Sequence, residues 1–135
     1  MRVVADTNVL VSALIFPGGP PEAVYRLALE GQIELVTSRP LLVELGRVLT
    51  EKFGWLPDRA EEAVAQLIRV AEIVEPGETT TDIEADPADN RVLEAAAAEG
   101  GVDAIVSGDH HLHALQSWRG TVVQSPAAFL ERFVG

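Results

Sequence analysis

The chain has 135 residues, a net charge of −11 and no cysteine, which excludes disulfides, thiolate zinc sites and a cysteine nucleophile. Hydrophobic residues make up 47% of its 14.5 kDa, so one packed domain over residues 1–135 is expected rather than disorder. A sequence pI near 4.5 argues against a protein that coats nucleic acid or binds a membrane surface.

Arg2 to Ala5 is a short apolar run that reads as a buried strand and stops at Asp6. Residues 8–16 look helical, and Pro17-Gly18-Gly19-Pro20 ends that helix. Residues 21–30 carry Val24, Leu27 and Ala28 at helical spacing, with Gly31 as the C-cap. Ile33 to Thr37 alternates like a strand. Ser38 is placed to N-cap a helix with Pro40 near its first turn, running to about Lys52. After a turn at 53–57, Asp58 is placed to cap a helix to about Val70. Ile73-Val74 is a strand candidate closed by Pro76-Gly77. Residues 78–87 are polar, acidic and rich in threonine, and read as a loop with room for a short edge strand. An alanine-rich helix runs from Ala88 or Asp89 to Glu99 and is closed by Gly100-Gly101. Val102 to Ser107 is another apolar strand, again followed by a carboxylate, Asp109. A short helix around residues 112–115, a strand at Val122-Val123 and a helix over 127–133 complete the chain.

Strands alternating with helices predict an α/β fold of three layers, a central, mainly parallel sheet flanked by helices. In open parallel sheets, sites form beyond the carboxyl ends of the strands. Asp6 and Asp109 both stand there. Glu44 lies on the helix of Leu41, Leu42, Leu45, Val48 and Leu49, and Asp89 lies at the start of the alanine-rich helix. Carboxylates gathered in one place raise each other's pKa and need a cation to stay ionised together. Oxygen-only ligands suit Mg²⁺ or Mn²⁺, and such ions serve phosphoryl chemistry. Each residue also has a plainer role. Asp6, Asp86 and Asp89 can cap helices, Glu44 can face solvent, and Asp109 can sit in a turn.

Four blocks carry a resemblance. They are Asp6-Thr7-Asn8-Val9-Leu10-Val11-Ser12-Ala13, Glu44 within Leu41-Leu42-Val43-Glu44-Leu45, Asp86-Pro87-Ala88-Asp89-Asn90-Arg91-Val92-Leu93, and Asp103-Ala104-Ile105-Val106-Ser107-Gly108-Asp109. In this order they resemble PIN-domain proteins of the VapC-like kind, the toxin components of toxin–antitoxin systems. The resemblance implies a PIN-like sheet, a Mg²⁺ or Mn²⁺ cofactor, and endonucleolytic cleavage of single-stranded RNA. It also implies a homodimer and a separate antitoxin protein. By motif position Asp6, Glu44, Asp89 and Asp109 take the acidic catalytic and metal-binding roles, with Asn8, Thr7, Ser107 and Asp86 in support. The family commonly has threonine where this chain has Ser107, so the hydroxyl is kept. Asp89 rather than Asp86 is favoured at the metal.

Arg39 and Arg91 are candidate substrate-binding cations, although a surface ion pair is the commoner role for such residues. His110, His111 and His113 read as surface or supporting groups. Two other functions remain open. An aspartate-dependent phosphatase would use Asp6 as nucleophile, but such sites want a second aspartate where Asn8 stands. A PIN-like RNA- or protein-binding module without turnover would keep the fold alone. A basic leader and a long apolar span are both missing from the sequence, so a soluble cytoplasmic protein with no membrane association is expected.

Overall fold

In the computed structural model, the described residues are 1–83, 87–98 and 100–134. The elements in chain order are β1 (Arg2–Ala5), α1 (Thr7–Ile15), α2 (Pro20–Leu29), β2 (Glu34–Ser38), α3 (Arg39–Glu51), α4 (Pro57–Val70), β3 (Ala71–Val74), α5 (Pro87–Ala96), β4 (Ala104–Val106), α6 (His110–His113), β5 (Ser117–Trp118), β6 (Thr121–Gln124) and α7 (Pro126–Val134). The strands form one sheet in the order β3-β2-β1-β4-β6-β5. All neighbours are parallel except β5 and β6. This is the α/β architecture expected from the alternation of strands and helices.

β1, β2 and β4 at the centre of the sheet are buried on both faces, as helix-covered parallel strands are. Val3 and Ala5 of β1, Leu35 of β2, and Ala104 and Val106 of β4 join the core with Val9, Leu45, Leu49, Leu67 and Phe129. Their neighbours Val4, Val36 and Ile105 point the other way and join Val92, Leu93 and Leu112. The period of two in the strands thus divides the core into two layers. Helices α1, α2, α3, α4 and α7 cover one face, while α5 and α6 cover the other.

Several boundaries differ from the sequence reading. Ser38 is the residue before α3, but its side chain makes no capping bond. Leu56 precedes α4, and Pro57 takes the first helical position, so Asp58 falls in the first turn instead of the cap. Helix α6 begins at His110 because the Asp109 carboxylate accepts from the backbone N–H groups of His111 and Leu112. β5, two residues long, was not anticipated. Among the described residues of 78–87 there is no strand. Asp86 lies outside the described residues. Among those described, no helix is long and apolar enough to cross a membrane.

That segment is held instead by side chains of α5. Asn90 accepts from the Ile83 N–H at 2.9 Å and donates to the Ile83 carbonyl at 2.7 Å. Glu94, one turn on, accepts from the Thr80 N–H at 2.9 Å. All three contacts are buried. Asn90→Ala would strand both backbone groups of Ile83, and leaving buried polar groups unsatisfied costs about 1–3 kcal/mol. Denaturant titration should show that loss. An unchanged midpoint would mean that Asn90 does not hold this segment.

Candidate functional site

Chain order reverses between β1 and β4: β2 and β3 lie on one side, β4 and β6 on the other. A crevice opens at such a switch point beyond the strand ends. Asp6 follows β1 there and is almost fully buried. Its Oδ1 caps α1 by accepting from the Val9 N–H at 2.8 Å. Its Oδ2 accepts from the hydroxyl of Ser107, which is itself wholly buried. The same Ser107 oxygen accepts from the Asp109 N–H at 2.9 Å. One hydroxyl therefore links the two aspartates that follow neighbouring strands. The carbonyl of Ser107 is met by Nε2 of His113.

Cap and site are not alternatives for these residues. Asp6 caps α1 and Asp109 caps α6, yet both carboxyls are felt at the same place. Burial lifts the Asp6 pKa from the ordinary 3.8 to about 6. Hydrogen bonds from Ser107 and Val9 work against that rise, and the charges of Asp109 and Glu44 add to it. For Asp109, burial raises the pKa, but hydrogen bonding with Asp89 and from the N–H groups of His111 and Leu112 outweighs it, so the net shift is downward. Two carboxyls in hydrogen-bond contact need a proton or a cation between them. Asp6, Glu44 and Asp89 also line a small polar cavity of about 30 Å³ together with Thr7 and Asn8. Thr7 is buried and its hydroxyl has no hydrogen-bond partner among the described residues. Asp109 opens on the other side, into a larger cleft of about 500 Å³ that shares Asn8 with the small cavity.

The structure thus brings Asp6, Glu44, Asp89 and Asp109 together from four separate elements. The matched region contains all four: residues 2–111 fit the family model described as PIN domain. The chain belongs to the PIN domain family. MJ1680 of Methanocaldococcus jannaschii, a protein described as uncharacterized, is 29% identical to this PIN domain across 98% of this chain and 92% of its own. A chain in the crystal structure of VapBC2 from Rickettsia felis, bound to a DNA fragment from their promoter, has a TM-score of 0.65 at 16% identity. The alignment covers 93% of this chain and 98% of that one, a likeness of fold.

The two candidate cations are placed less favourably in this PIN domain. Arg91 is engaged by the buried Glu94 at 3.0 Å, which commits it to α5. Arg39 is exposed at the start of α3 and lines neither the small cavity nor the cleft. His113, read from sequence as a surface or supporting group, meets the Ser107 carbonyl, whereas Asn90 and Glu94, which hold the segment before α5, were not singled out from sequence. Asn90 and Glu94 are four apart on one helix face, the one signal that could have linked them.

The raised Asp6 pKa has a stability consequence for the metal-free protein. The folded state holds this proton up to about pH 6, whereas the ordinary value is 3.8. Between these values the native state binds more protons than the unfolded chain, so stability falls as pH rises. At 1.36 kcal/mol per unit, the span is about 3 kcal/mol. Asp6→Asn keeps an acceptor for the Val9 N–H and removes the titration. Its melting temperature in EDTA should fall less between pH 4 and 7 than that of the wild type. Parallel curves would show that Asp6 carries no such penalty.

Proposed function

We propose that this PIN domain is a Mg²⁺- or Mn²⁺-dependent endoribonuclease that cleaves single-stranded RNA. The reading extends to a homodimeric toxin held in check by a separate antitoxin protein. The observation that carries the nuclease reading is the meeting of Asp6, Glu44, Asp89 and Asp109 at the sheet's switch point. The motif order and the fold shared with the VapBC2 chain support the toxin reading.

The donor set fits a hard divalent ion. Every side chain in it offers oxygen, and the mutual repulsion of its charges contributes to the raised Asp6 pKa. Among the described residues, no three His, Asp or Glu side chains stand arranged to hold an ion. Ligation would therefore require the Asp89 side chain to turn from its contact with Asp109. Asp6 and Asp109 would be the principal ligands, with Glu44 and Asp89 completing the set or serving as bases. When bound, the ion supplies Lewis acidity toward the phosphodiester and makes water more acidic.

The remaining chemistry belongs to the chain. The N–H of Val9 and the hydroxyl of Ser107 hold Asp6 in one orientation, so little rotamer freedom is lost on ligation. The N–H groups of His111 and Leu112 do the same for Asp109. Asn8 is exposed between the small cavity and the cleft, where its amide is able to donate to a phosphate oxygen. Glu44, half-buried on α3, has the reach to accept a proton from an attacking water.

The deciding experiment is incubation of a mixed RNA pool with purified protein in Mg²⁺, Mn²⁺ or EDTA. Cleavage should need the metal and fall by orders of magnitude in Asp6→Asn, Asp109→Asn and Asp89→Asn, while Asp86→Asn should cost little. Metal-independent cleavage, or full activity in Asp6→Asn, would remove the proposal. RNA binding without cleavage would leave the binding-module alternative standing. Independently, Mg²⁺ or Mn²⁺ at a hundredfold excess over Kd should stabilise the wild type by about 2.7 kcal/mol but not Asp6→Asn. Light scattering at micromolar concentration tests the dimer, and a clean monomer would discard it.

A further inference from the structure

The cleft is lined by Asp109 of the acidic group and shares Asn8 with the small cavity that Asp6, Glu44 and Asp89 line. Its volume of about 500 Å³ falls within the range of about 300–1,000 Å³ usual for small-molecule pockets. Its walls come from the starts of two helices: Pro20 and Pro21 of α2, and Pro126 and Ala127 of α7.

A helix start normally attracts phosphate because its first N–H groups are unpaired. At these two starts that property is reduced to the N–H groups of Glu22 and Ala127. Proline has no N–H, so positions 20, 21 and 126 offer no backbone donor. The Ala128 N–H is occupied by the Ser125 hydroxyl at 3.1 Å. Lysine and arginine are absent from the lining, whose titratable members are Asp109 and His110. The cleft therefore has little with which to hold a phosphate and an acidic residue to repel one. It has proline rings and Val9 as apolar surface, with the hydroxyls of Ser12 and Ser125 and the Asn8 amide as polar groups.

We propose that this cleft is a nucleobase subsite. It takes the base next to the scissile phosphate, lays a base face on the proline wall and reads the base edge with Ser12 and Asn8. The inference rests on the nuclease reading for the position of that base relative to the cut. Apolar surface with a few fixed polar groups suits a flat, uncharged heterocycle, and stacking suits single-stranded RNA, whose bases are free to splay out.

The test has two arms. In the first, an RNA oligonucleotide carrying the cut site is compared with versions that lack one base at a time. Removing the base beside the cut should raise KM at least tenfold for the wild type. It should raise KM less than twofold for Ala127→Phe, which fills the cleft from an exposed position. Equal penalties in both proteins would overturn the subsite. The second arm needs no cleavage. Metal-free protein is titrated with the four nucleoside 5′-monophosphates and with ribose 5-phosphate, and backbone amide shifts are followed by NMR. Shifts at Val9, Ser12 and Ala127 should appear with the nucleotides, be absent with ribose 5-phosphate and be lost in Ala127→Phe. Shifts with ribose 5-phosphate would reassign the cleft to the phosphate backbone, and no shifts with any compound would overturn the proposal. Nucleotide shifts in a protein that cleaves nothing would keep the subsite and reject the nuclease. Ser12→Leu fills the cleft from α1 and repeats both arms should Ala127→Phe fail to fold.

Discussion

The parallel pairing of β1 with β4 is the constraint on which the site depends. It places Val3, Val4 and Ala5 beside Ala104, Ile105 and Val106, and the Asp6 N–H continues the ladder to the Val106 carbonyl at 3.0 Å. Once those strands are in register, Asp6 and Ser107 must face each other. The buried hydroxyl then orients one aspartate through its proton and the next through its lone pair. Burial on both sheet faces fixes this register, because a slip by one residue would exchange the two core layers. The same packing that stabilises the sheet therefore sets the position of the acidic side chains.

The charge distribution bears on the proposed base subsite. Five of the arginines are already paired with acids: Arg2, Arg26, Arg47, Arg91 and Arg119. The surface thus retains few cations to attract a polyanion over distance. A chain carrying −11 gains little from counterion release. On the proposed reading, affinity for RNA would arise at short range, from groups that meet the substrate within the crevice.

The carboxylates at the strand ends were legible because an apolar strand running into an aspartate is a local pattern with a topological meaning. The convergence of Glu44 and Asp89 was legible only through motif order, since nothing in a helix's own spacing says which distant strand it will cover. For Arg91 the ion pair weighed beside the substrate role is present, with Glu94 three residues on; that Glu94 would be buried was not legible in the sequence. The start of α6 lies two residues before the expected one because the Asp109 carboxylate caps the helix that follows, a role its neighbours in sequence do not signal. β5 escaped notice because two residues show no period. The cleft was illegible for the same reason as any pocket formed by distant segments: Pro20 and Pro126 become neighbours only through the folded α2 and α7.

The contact between Ser107 and Asp6 joins positions 101 residues apart. β1 pairs with the next strand in the chain, from Glu34, on one side and with a strand that begins only at Ala104 on the other. Contacts of such separation form late, because the loop between them must be ordered first. A growing polypeptide synthesised only through α5 would carry Asp6, Glu44 and Asp89 but have neither the strand beside Asp6 nor the hydroxyl that orients it. The acidic group is complete only once β4 and Asp109 have been made, so the order of the strands sets when in synthesis the crevice can form.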